Sequence, residues 1–233
     1  VPDDAQPAFR FAPSERTYTA LRAALLHGEF TPGQPLRPQE LADQHGVSLA
    51  VARESLLRLV ADGLAERLPT RGFAVPAVGA DRWQQLAQAR AVVEPAMLRM
   101  SIERGDLDWE VRVRAAHHRL AGTPTHDRAD DRHYSDAWAE AHRVFHRTLL
   151  DACGNDVLLE LFDRLWTTGE LARRWSGSLA PGRDATVEHR ALEEAALARD
   201  ADRAVELLVH HLVGTAAVLA ERGGAGPDAA LPG

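Results

Sequence analysis

The chain has 233 residues, 45% hydrophobic, with a formal net charge of −7 at pH 7, which is enough for one large or two small domains with a proper core. That balance excludes nucleic-acid binding by bulk charge but not by a local basic patch. One cysteine, Cys153, excludes an intrachain disulfide and fits a reducing cytoplasm, and no apolar run is long enough to span a membrane.

Residues 1 to 12 hold Pro2 and Pro7, with Pro13 next, and read as a flexible lead without a secretory signal. Ser14 is a plausible cap for a helix to about His27, with Tyr18, Leu21, Leu25 and Leu26 on its apolar side. Thr31-Pro32-Gly33 is a turn. A short helix over 38–45 stops at Gly46, and Ser48 caps a further helix that runs to Asp62 and stops at Gly63. Two extended runs, 64–68 and 73–75, flank Pro69-Thr70-Arg71-Gly72 and read as a hairpin. Residues 76 to 80 form a linker.

From Asp81 onward the pattern is helical, with helices expected at 81–104, 107–121, 130–152, 156–176, 184–199 and 201–222. Short loops between them make an antiparallel all-α bundle. The expected fold is therefore mainly α: a winged helix-turn-helix over 12–76, a helical bundle over 81–222, and a flexible tail over 223–233.

Helix, short helix, turn, helix, hairpin is the order of a winged DNA reader. Leu41, Ala42, Val47, Ala52, Leu56 and Leu59 are spaced to make its core, which turns Leu49, Ala50, Arg53 and Leu57 outward. Arg53 can reach a guanine edge or a phosphate, and Arg71 and Gly72 at the hairpin tip suit a backbone or minor-groove contact. Each arginine taken singly also reads as a solvated surface charge, and the unit as a protein-interaction module.

In the bundle, His146, His189 and His211 fall on the apolar stripes of three separate helices. His142 shares the His146 face four residues earlier. A buried imidazole needs a partner for each ring nitrogen, and a shared divalent metal, most plausibly zinc or nickel for imidazole donors, is one way to supply it. Three independent core histidines, each bonded to a backbone carbonyl, are the alternative. His117, His118, His126 and His133 lie in polar stretches and are expected to be solvated; His210 faces away from His211. His142-Arg143-Val144-Phe145-His146 has the spacing of a zincin pair, but Arg143 stands where the general-base glutamate belongs. A metallohydrolase is thereby a weak rival, and a helical interaction protein with structural histidines another.

The run from Leu36 to Val75 resembles the winged helix of GntR-type bacterial transcription factors. Gly28, Pro32-Gly33, Leu36, Glu40-Leu41-Ala42, Gly46-Val47-Ser48, Arg53-Glu54, Leu56, Arg58-Leu59, Gly63-Leu64 and Arg71-Gly72 carry it. The remainder resembles the FadR subfamily with its FCD-type effector domain, through Arg90, Glu94, Phe145-His146, Leu149, Gly154-Asn155, His189-Arg190-Ala191 and His211-Leu212. The resemblance implies a homodimeric, ligand-responsive regulator, and a repressor more often than an activator. It would not be an enzyme. It would read an inverted-repeat operator with Gln39, Ser48, Leu49, Ala50, Arg53, Arg71 and Gly72, and be released by a small carboxylate at the metal.

It also implies that Arg90 faces the effector cavity beside Glu94, with Trp166 and Arg173 as further wall candidates; a plain surface pair of Arg90 with Glu94 is the alternative. Two departures stand out. Ser48-Leu49-Ala50-Val51 replaces the family's polar or basic opening of the recognition helix, so Leu49 and Ala50 offer only apolar contact, for example to thymine methyls. His142 stands where the family has a metal-binding aspartate, which gives a four-histidine site with one more net positive charge.

Overall fold

The computed structural model describes residues 13–69, 72–76, 80–127, 130–175 and 184–223. The chain divides into two compact units, Val1–Ala77 and Val78–Gly233. The expected flexible lead at 1–12 and most of the expected tail lie outside the described residues.

In the first unit α1 (Pro13–Leu26), α2 (Pro38–His45) and α3 (Leu49–Ala61) enclose a small core, with α1 and α2 both packed on α3. The first helix begins at Pro13, so Ser14 sits inside its first turn instead of capping it. Pro38 opens α2, where a missing N–H costs nothing. Gly46 closes it in the left-handed region at φ 63°, and its N–H is bonded to the carbonyls of Ala42 and Asp43. The Ser48 side chain accepts from the Val51 N–H at 3.3 Å and starts α3. Leu21, Leu25, Leu41, Ala42, Ala52, Leu56 and Leu59 are buried; Val47 is only half-buried, because it lies in the turn and not on a helix face.

The wing is a three-stranded sheet in the order β1 (Pro35–Leu36), β3 (Phe73–Ala74), β2 (Glu66–Arg67). Both pairings are antiparallel, with Leu36 and Arg67 each opposite Phe73. The sequence pattern gave the hairpin but not the third strand.

The second unit consists of α4 (Ala80–Arg104), α5 (Leu107–Gly122), α6 (Asp136–Leu150), α7 (Asp156–Trp175), α8 (Ala185–Leu197) and α9 (Ala201–Gly223). The α4 helix packs chiefly on α9 and also on α7, α5 on α6 and α8, and α8 on α9. One cluster of buried side chains joins them, centred on Met97, Leu98, Trp109, Phe145, Phe162 and Leu192. No described helix is long and apolar enough to cross a membrane.

The expected helix over 130–152 is corrected. Its first residues form the strand β5 (Asp130–Tyr134), paired antiparallel with β4 (His126–Asp127), and its last two enter a 3-10 turn, Asp151–Cys153. The stretch before Tyr134 has no apolar periodicity to drive a helix. Ser135 then starts α6 by accepting from the Trp138 N–H at 3.1 Å while donating to the Pro124 carbonyl at 2.8 Å.

Candidate functional site

The outward face of α3 carries Leu49, 37% exposed, and Leu57, 50% exposed, with Ala50 and Arg53 also exposed. Arg53, Leu57 and Gly72 line one shallow groove of about 620 Å³ together with Arg37, Arg67 and Phe73. Gly72 adopts φ 85° with open space around the position of a Cβ, so it turns the wing tightly and lets another backbone approach. Gln39 is exposed, and its amide donates to Asp43 at 2.9 Å. Ser48 is spent on its cap, which leaves its exposed oxygen a second lone pair. Arg71 lies outside the described residues.

Arg37 and Arg67 were not anticipated. Arg37 is the N-cap of α2 and Arg67 belongs to β2 of the wing, and only tertiary pairing brings them beside α3. The groove is thus a local basic patch on an acidic chain, with Arg37 partly offset by Glu40 at 2.8 Å.

In the second unit α6 supplies His142 and His146, α8 supplies His189 and α9 supplies His211. All four are buried, and one ligand nitrogen from each lies within 4.8 Å of the others. His189 is central: its Nε2 is 3.1 Å from Nε2 of His142 and 3.3 Å from Nε2 of His146. Histidines that acted independently would turn their nitrogens towards separate partners; here three Nε2 atoms face one point.

Donors about 2.0–2.1 Å from a tetrahedral ion stand roughly 3.3 Å apart, so these spacings fit a metal. His211 is fixed from behind, with Nδ1–H donating to the Glu188 carboxylate at 2.7 Å, which leaves Nε2 for a ligand. Burial drives the His146 imidazole well below the usual histidine range, and the neighbouring His142, His211, His189 and Arg90 push the same way. A neutral ring is what a metal requires.

Aromatic rings wall the cluster. Trp138 stacks on His142 at 4.6 Å, and Trp166 contacts His142 and His146 at 5.1 and 5.2 Å. The Arg90 guanidinium lies 5.0 Å over Trp166. It is held by Glu94 through bonds of 2.5 and 3.3 Å. The pair has the i,i+4 spacing of a surface pair, yet both side chains are buried. Arg173 is on α7, and its side chain lies outside the described residues.

Two expectations for the remaining histidines need revision. His117 is 7% exposed, not solvated, and its Nδ1 meets Glu193 of α8 at 2.6 Å. His126 is half-buried and stacks on Tyr134 at 5.4 Å. His118 and His210 are exposed, and the His133 side chain lies outside the described residues.

Residues 13–75 match the family model described as bacterial regulatory proteins, gntR family, and residues 85–214 match that of the FCD domain. The HTH-type transcriptional regulator BphR of Paraburkholderia xenovorans (strain LB400) is 34% identical over 90% of the chain and 86% of its own length. The HTH-type transcriptional repressor GlaR of Escherichia coli (strain K12) is 29% identical over 84% and 90%. Among solved structures, E. coli McbR/YncC superposes with a TM-score of 0.69 at 20% identity, covering 90% of this chain and 98% of that one, which speaks for the fold alone.

Proposed function

The chain belongs to the GntR family of bacterial regulatory proteins as a member with an FCD domain, and from that premise we propose a transcriptional repressor released from its operator by a small organic carboxylate bound at a divalent metal. The observation that carries the reading is the set of four buried imidazoles, with ligand nitrogens within 4.8 Å of one another, beside the buried Arg90.

His146, His189 and His211 would hold the ion, with His142 as a fourth donor in place of the family's aspartate. A bound divalent ion, zinc or nickel for this all-imidazole set, supplies a Lewis-acidic, positively charged anchor for an anion. Glu188 keeps His211 in the tautomer that presents Nε2. Trp138 and Trp166 exclude water, which strengthens every charge interaction inside. Arg90 offers a planar donor fork to the same carboxylate, with Glu94 setting its orientation and the Trp166 ring beside it; Arg173 of α7 is assigned to effector binding as well.

We assign DNA reading to residues 12–76 and effector binding to 81–222, with 223–233 a tail. Arg53 reads a base or phosphate; Gln39, Ser48, Leu49, Ala50, Arg71 and Gly72 contribute polar or apolar contacts around it. Arg37 and Arg67 join them as phosphate contacts from the same groove. The protein works as a cytoplasmic homodimer, joined through its effector domains, on an inverted repeat. GlaR is named as a repressor, which supports that sign of regulation.

A mobility-shift titration on the native operator with a panel of carboxylates tests the reading. At least one carboxylate should dissociate the metal-loaded complex, and chelation or Arg90→Ala should abolish its effect. An effector acting fully on metal-free protein refutes the mechanism.

A further inference from the structure

A cavity of about 520 Å³ opens between the end of α5 and the start of α8, lined by His117, Leu120, Thr125, Trp138, Thr186 and His189, among others. His189 belongs at once to this cavity and to the histidine cluster. Trp138 does too, since it stacks on His142. The cavity therefore shares two of its walls, His189 and Trp138, with the surroundings of the proposed metal centre. His117 stands further along the same wall: it and His189 flank Phe145, with ring centroids 5.4 and 5.5 Å from it.

His117 is more than nine-tenths buried, yet its Nε2 has no hydrogen-bond partner among the described residues. A buried polar atom without a partner costs free energy unless something satisfies it in the working state. On the opposite side of the ring, Nδ1 meets Glu193 Oε2 at 2.6 Å, and Glu193 is itself 3% exposed. A carboxylate only accepts, so the ring proton sits on Nδ1. A neutral imidazole with its proton there presents Nε2 as a pure acceptor. Arg114 Nε, 3.4 Å from the other Glu193 oxygen, offsets the carboxylate's charge.

We propose that His117, oriented by Glu193, is a second recognition point for the effector. The effector is then a carboxylate carrying a separate hydrogen-bond donor, of which a hydroxy acid is the simplest. Its carboxylate engages the histidine cluster, its chain passes between Trp138 and His189, and its hydroxyl donates to His117 Nε2. The inference rests on the carboxylate reading of the metal centre and narrows the class of ligand.

The test is isothermal titration of metal-loaded full-length protein. The probes are straight-chain carboxylates of two to six carbons, each with its ω-hydroxy and its dicarboxylate counterpart. At one chain length the hydroxy acid should bind about tenfold tighter than the plain acid, the scale of a satisfied buried hydrogen bond. His117→Phe with Glu193→Gln, paired so that no buried charge is stranded, should reduce that gap to less than about twofold and leave the plain acid's affinity unchanged. His117→Gln is the control for a folding defect. No hydroxy-acid advantage at any length, or an advantage that survives in the double variant, overturns the proposal. A dicarboxylate advantage that depends on His117 also overturns it, because the ring would then be donating. If no carboxylate of any kind binds, the metal-carboxylate reading itself fails, a result distinct from binding without discrimination.

Discussion

His189→Ala is the sharpest probe of the metal centre, because the His189 Nε2 lies between those of His142 and His146 at 3.1 and 3.3 Å. An ion present at a thousand times its Kd stabilises the fold by about 4.1 kcal/mol. For a protein of this size each kcal/mol moves Tm by about 2–4 °C, so zinc should raise Tm by about 8–16 °C over chelated protein. A hundredfold loss of affinity at the same zinc concentration leaves about 1.4 kcal/mol, or about 3–6 °C. The substitution also opens a cavity at a residue only 2% exposed, and that cost lowers Tm with or without metal. The readout is therefore the zinc-dependent increment within each protein, by scanning calorimetry of chelator-stripped and reloaded samples. An increment as large in His189→Ala as in the wild type would refute the site.

Arg53→Ala should weaken operator binding by about 1–3 kcal/mol if the side chain reads a base, while Leu49→Arg should steepen the salt dependence of binding by about one phosphate contact; filter binding across a salt series measures both, and an unchanged slope removes position 49 from the interface. Tyr18 is pushed up to about 12 by burial and by its 2.5 Å bond to Asp62. A raised value means the fold resists deprotonation, so its contribution is intact below pH 10 and is lost as pH climbs from about 10 to 12; urea melts of Tyr18→Phe should show a flatter alkaline decline than wild type, and matching slopes would count against it. His146 is shifted the other way, well below 6.5. The unfolded chain takes up that proton first, so metal-free protein should lose stability as pH falls below about 6.5, and equal chemical stability at pH 7.5 and 5.5 would contradict the assignment.

What the sequence disclosed was whatever depends on near neighbours. Gly46, Ser48, Asn155 and Asp184 delimit helices by local bonds, and α2 falls at 38–45 as read. The i,i+4 spacing put His142 and His146 on one face without knowledge of any other helix. What it hid depends on partners far along the chain. Strand β1 exists because Pro35 and Leu36 pair with Ala74 and Phe73, and two residues carry no periodicity of their own. His117 sits in the polar run His117-His118-Arg119 and looked solvated, but Glu193, on another helix, allows its burial. Arg37 and Arg67 became groove residues only when the wing folded against α3.

On the proposed reading, the charge balance of the cluster gives a reason for a metal and an anionic effector to act together. Arg90 is the guanidinium beside the histidines, and Glu94 already offsets it through two bonds. Glu188 adds a carboxylate behind His211, and burial keeps His146 neutral. The protein's own described groups therefore present an arriving carboxylate with no surplus of positive charge. Desolvating an anion in such a place is costly unless a counter-charge waits there. Replacing the family's aspartate by His142 removes one negative charge, so the same divalent ion would leave the site more positive. On the proposed reading, attraction for the anion would then come almost wholly from the cation, and Arg90 would contribute direction more than charge. On this reasoning chelation should abolish the effector response outright, whereas Arg90→Lys, which keeps the charge but loses the fork, should weaken and broaden it.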